Sequence, residues 1–130
     1  MNKRLNILVA NDDGIASPGL LRLANAAARL GDVWVAAPQG QCSGMSQKIT
    51  IAEEISVEKR NFPADVKAAY AIGGTPADCV KTAIKSLLPV KPDVVFSGIN
   101  SGFNTGFDIA YSGTVGAAME ALLNGVPAIA

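Results

Sequence analysis

The 130-residue chain balances 11 lysines and arginines against 11 aspartates and glutamates, so it lacks the basic surface that a nucleic-acid duplex requires. It contains no histidine, which excludes Ser-His-Asp and Cys-His nucleophile systems and histidine-held zinc. Any general base is then a carboxylate, a lysine, a thiolate or a metal-bound hydroxide. The length fits one domain, residues 1–130. The apolar run after Arg4 is too short for a secretion signal, and no stretch is long enough to cross a membrane. Cys42 and Cys79 lie far apart and imply no disulfide framework, so a cytoplasmic setting is the simplest expectation.

Leu5–Ala10 reads as a buried strand, closed by Asn11-Asp12-Asp13-Gly14. Ser17 fits a helix N-cap with Pro18 at the first helical position, and Leu20, Leu23, Ala24, Ala27 and Leu30 follow at helical spacing. Gly31 suits a helix stop. Residues 33–37 are a second strand, and 38–48 a polar loop. Residues 49–57 and 66–72 read as strands, able to pair through the polar segment 58–65. Gly73-Gly74-Thr75-Pro76 is a turn before a helix over 77–88. Residues 93–96 are a buried strand, and 97–111 a long loop rich in glycine and asparagine. Ser112 can cap a third helix that runs to Asn124-Gly125. Another apolar run begins at Val126, which raises the expectation that a longer chain continued past Ala130.

Strands alternating with helices predict an α/β fold, a mostly parallel sheet covered on both faces. Ligands in such sheets bind outside the carboxyl ends of the strands. Asp12, Asp13, Ser43 and Asn100 all fall in loops leaving those ends.

Asp12 and Asp13 carry the clearest chemical signal. Two carboxylates a few ångströms apart repel by roughly 1 kcal/mol in water and by more near a protein interior. A hard cation such as Mg²⁺ or Mn²⁺ would offset that repulsion, although the same residues also suit a plain polar turn. Tyr111-Ser112-Gly113-Thr114-Val115 leads from a glycine-rich loop into a helix, which reads either as an anion site or as an ordinary serine cap. The loop from Ser97 to Asp108 is long for a plain connector, and its asparagines suit a cation or a phosphate. Cys42 is followed by Lys48 where a cysteine phosphatase needs arginine. Cys79 and Trp34 read as packing, and Thr75 and Asp78 as caps or first-turn charges of their helix. Neither a dinucleotide fingerprint nor a P-loop is present.

Five segments together resemble the SurE survival-protein family of nucleotidases. They are Ile7 to Gly19 with its Asn11-Asp12-Asp13-Gly14, Ala37-Pro38 with Ser43, Gly74-Thr75-Pro76-Ala77-Asp78, Ser97-Gly98-Ile99-Asn100, and Tyr111 to Glu120. The resemblance spans essentially the whole chain and implies a Rossmann-like three-layer α/β/α domain, the N-terminal part of a longer family fold. It implies a metal-dependent phosphomonoesterase acting on nucleoside 5′- or 3′-monophosphates, with Asp12 and Asp13 as catalytic residues. The metal ligands would be Asp12, Asp13, Ser43 and Asn100, and Asn104, Ser112, Gly113 and Thr114 would line the phosphate pocket. Family members assemble as homo-oligomers. The alternative is a truncated metal- and nucleotide-binding module, or a structural fragment, without turnover. Three positions depart from the family pattern: Cys42 stands where arginine is usual, Gln47 where histidine is common, and Phe103 where proline is common.

Overall fold

The computed structural model describes residues 4–40, 55–99 and 113–130. Six strands form one sheet in the order β3-β4-β2-β1-β5-β6. These are β1 (Leu5–Ala10), β2 (Gly31–Pro38), β3 (Val57–Arg60), β4 (Ala68–Ile72), β5 (Val94–Ser97) and β6 (Ala128–Ile129). All neighbours run parallel except β3, which pairs antiparallel with β4. The helices are α1 (Pro18–Ala27), α2 (Pro76–Thr82), which runs on into a π-helical turn at Ala83–Leu87, and α3 (Gly113–Leu123).

Alternation along the central strands divides the core between two faces. Ile7, Val9, Val33 and Val35 pack with Leu20, Ala24 and Ala27 of α1. Leu8, Ala10, Trp34 and Ala36 pack with Cys79 and Val80 of α2 and Ala117 and Ala121 of α3. This is the expected three-layer, Rossmann-like arrangement. Residues Ile7 to Ala10 of β1 are buried whichever way they point, which is why that stretch reads as a continuous apolar run.

The chain winds from β1 outward to β2 and β4, then returns to the other side of β1 to form β5. That reversal opens a crevice beyond the carboxyl ends of β1 and β5, the usual ligand position in open sheets. The two strands end level, with Ala10 opposite Ser97, and the Gly98 amide donates to the Ala10 carbonyl at 2.8 Å.

Several boundaries differ from the sequence reading. Gly31 is not a helix stop but the first residue of β2, where a Cβ would collide with the Leu5 carbonyl of the adjacent strand. The strand expected over 49–57 and the polar connector after it are redrawn. Residues 49–54 lie outside the described residues, and β3 starts at Val57 and runs into the charged segment. All four β3 residues are exposed, so the ladder to β4 holds the strand without an apolar face, and charged side chains guard a sheet edge. Helix 77–88 is divided by its π-helical turn, a feature that apolar spacing does not encode. Thr75 and Asp78 do cap α2, each side chain accepting from the other's backbone amide, at 3.1 and 2.9 Å. Cys79 is fully buried and Trp34 nearly so, both in the core.

Candidate metal and phosphate site

The loop leaving β1 is built around Asn11. Its side chain is fully buried and spans the turn. The amide nitrogen donates to the Gly14 carbonyl at 3.0 Å and to the Ser17 hydroxyl at 2.8 Å, and the amide oxygen accepts from the Gly14 N–H at 3.2 Å. Ser17 in turn caps α1, accepting from the Leu20 amide at 3.2 Å, with Pro18 behind it as the spacing predicts. Gly14 has φ +108°, a backbone conformation that side chains rarely adopt. The Ile15 amide donates to the Pro38 carbonyl at 2.8 Å, which ties the loop to the end of β2. Strand end, Asx bonding and helix cap thus hold Asp12 and Asp13 in a rigid frame at the crevice.

Asp12 is only 4% exposed. Its Oδ1 accepts from the Thr114 hydroxyl at 2.9 Å, in the first turn of α3. The helix is fixed there by Ser97, the last residue of β5, whose hydroxyl donates to the Thr114 carbonyl at 2.7 Å. Burial pushes the Asp12 carboxyl above its ordinary value of 3.8. The Thr114 hydrogen bond works against that rise, and the neighbouring Asp13 charge adds to it. A desolvated carboxylate beside a second carboxylate is electrostatically unfavourable, and a small hard cation would relieve it. The donor chemistry of this loop therefore fits a divalent ion. Among the described residues no three acidic or cysteine side chains gather.

The structure therefore joins three of the sequence-predicted site elements: the Asp12-Asp13 loop, the β5 end and the start of α3 with Gly113 and Thr114. Ser43, Asn100, Asn104 and Ser112 lie outside the described residues, as do Cys42, Gln47 and Phe103. Asn11 and Ser97 were not among the expected site residues, yet both shape it. The Asn-x-x-Gly spacing is the local signal for Asn11, whereas the role of Ser97 depends on where α3 returns to the sheet.

Residues 7–130 match the family model described as survival protein SurE. The chain belongs to the SurE family. It is 47% identical over 133 residues to the 5'-nucleotidase SurE 1 of Chlamydia caviae, a match that covers 100% of this chain and 48% of that relative. A 5'-nucleotidase SurE of Desulfitobacterium hafniense is 49% identical over 127 residues, with 97% of this chain and 50% of the relative covered. Among solved structures, the SurE protein from Aquifex aeolicus superposes with a TM-score of 0.83 at 44% identity, over 96% of this chain and 49% of that one. The chain thus spans about half the length of the curated relatives it matches. The SurE likeness extends from β1 to the last strand, so the Asp12-Asp13 loop and the α3 start both fall within it. Among the described residues, no helix is long and apolar enough to cross a membrane.

Proposed function

We propose that this chain is a divalent-cation-dependent phosphomonoesterase acting on nucleoside monophosphates, with Mg²⁺ or Mn²⁺ as the ion. The observation that carries the reading is the buried Asp12 carboxylate, gripped by Thr114 and set beside Asp13 at the sheet's switch point. Names borne by the relatives, 5'-nucleotidase SurE, support the substrate class.

In this reading Asp12 and Asp13 hold the ion, and Ser43 and Asn100 complete its set of ligands. A bound divalent ion neutralises phosphoryl oxygens and lowers the pKa of water. The chain's own contribution is orientation and charge. Thr114 fixes one Asp12 oxygen and so orients the carboxylate that, with Asp13, would hold the ion. The first amides of a helix have no partner within it and carry the positive end of its dipole, so those of Gly113 and Thr114 receive phosphate oxygens. Ser112 and Asn104 add side-chain contacts to the same group. Amides preset for charge that grows in the transition state contribute about 3 kcal/mol each in comparable sites.

The test is phosphate release from a panel of 5'- and 3'-nucleoside monophosphates, with each of Mg²⁺, Mn²⁺ and EDTA. Hydrolysis that needs a divalent ion supports the reading. Undiminished hydrolysis in EDTA, or none with any ion, overturns it.

A further inference from the structure

Ser97 closes β5, and its partner in register on β1 is Ala10. Registered residues of neighbouring strands face the same side of a sheet. Ala10 lies in the core layer that packs against α2 and α3, so Ser97 faces α3 as well. Its hydroxyl is buried there and donates to the Thr114 carbonyl at 2.7 Å.

The helix does not need this bond. Thr114 is the second residue of α3, and in an α-helix its carbonyl accepts from the amide four positions on, that of Ala118. A carbonyl has two lone pairs, so Ser97 adds a bond from outside to one that the helix already makes. What the bond adds is position. The helix begins Gly113-Thr114-Val115-Gly116, and two glycines in four residues give packing little to hold. A directional hydrogen bond sets where such a turn rests on the sheet.

Thr114 also reaches out through its side chain, whose hydroxyl donates to Oδ1 of Asp12 at 2.9 Å. Asp12 is therefore tied to Ala10 by two routes. One is the chain itself, through Asn11. The other crosses to Ser97 and returns through Thr114, first by its carbonyl and then by its hydroxyl. The two routes close a ring at the ends of β1 and β5, tightened by the Gly98 amide on the Ala10 carbonyl at 2.8 Å. Without the Ser97 bond the ring opens, and the Thr114 hydroxyl is no longer held against Asp12.

We infer that Ser97 is a positioning residue for the divalent-ion site: by fixing the Thr114 carbonyl it sets the Thr114 hydroxyl on Asp12, and so holds that carboxylate in place for the ion. The inference rests on the metal reading above, and gives Ser97 a role that it exercises only through Thr114.

The experiment is calorimetric titration of the whole polypeptide with Mn²⁺, without substrate, for wild type, Ser97→Ala, Thr114→Val and the double variant, each with a thermal melt. Both single variants are expected to melt cooperatively. Ser97→Ala is expected to bind Mn²⁺ about tenfold more weakly, the lower end of what losing a group behind a metal ligand does. If Ser97 acts through the Thr114 hydroxyl, it has nothing to act on in Thr114→Val, and the double variant binds within about twofold of Thr114→Val. A second tenfold loss in the double variant overturns the inference, because Ser97 then acts by another route. Wild-type affinity in either single variant overturns it while leaving the metal reading intact. A Ser97→Ala protein that no longer melts cooperatively assigns the bond to folding and overturns it as well. Absence of Mn²⁺ binding in the wild type overturns the metal reading itself.

Discussion

The Thr114 hydroxyl donates to Oδ1 of Asp12 at 2.9 Å, joining residues 102 positions apart in sequence. A threonine hydroxyl has a single proton, and here Asp12 takes it. Any contact from Thr114 to a phosphate oxygen must then run through its amide. The side chain instead serves the carboxylate, fixing one oxygen and favouring its charged form.

Thr114→Val keeps the shape and removes that donor. It is expected to lower stability by about 1–3 kcal/mol, the usual effect of leaving a buried acceptor without its partner. Without the hydrogen bond, the Asp12 carboxyl rises further, so the acid limb of Mn²⁺ binding moves to higher pH. Thr114→Ser is expected to restore both properties. Denaturant titration measures the first effect, and metal affinity across pH the second.

Asp12 gives a prediction whose sign depends on the ion. Its folded-state pKa is raised, so the folded protein binds this proton more tightly than the unfolded chain does. The stabilisation that results is complete below the unfolded value and disappears as pH rises through the folded one. At neutral pH the charged carboxylate therefore destabilises the metal-free protein. Asp12→Asn is expected to raise the metal-free melting temperature by a few degrees at pH 7, about what 1 kcal/mol produces in a domain this size. That advantage shrinks towards zero below about pH 4, where the wild-type group is itself neutral. With Mn²⁺ at about 100 times its dissociation constant the order reverses, because binding stabilises the wild type by about 2.7 kcal/mol. Thermal melts at two pH values, with and without Mn²⁺, test all three statements.

Asn11 supports the loop without joining the chemistry. Asn11→Ala removes three hydrogen bonds and strands the buried Gly14 amide. A loss of about 1–3 kcal/mol is expected in denaturant titration, with weaker Mn²⁺ binding as its consequence. Unchanged stability would mean that the acidic loop keeps its shape without the asparagine.

Local signals in the sequence reached most of the frame. Leu5–Ala10 forms a strand around the apolar run Ile7-Leu8-Val9-Ala10, and Ser17-Pro18 starts a helix because cap and proline are adjacent. Thr75 and Asp78 read as caps or first-turn charges, and their reciprocal hydrogen bonds form a capping box. What the sequence hides is non-local or ambiguous. A glycine after a helix is also a glycine before a strand, so Gly31 reads as a stop although the neighbouring Leu5 carbonyl is what requires it. The β3 strand carries no apolar face and owes its existence to the β4 edge. The Asp12–Thr114 bond depends on β5 returning beside β1, a matter of topology that no window of residues contains.

The most direct measurement is anomalous diffraction at the manganese edge, from crystals of the whole polypeptide grown with Mn²⁺. A peak at the ~2.1 Å expected of a small hard cation from oxygens of both Asp12 and Asp13 is the predicted result. Fully occupied Mn²⁺ elsewhere in the molecule, with both carboxylates ordered and turned away from any ion, would contradict it.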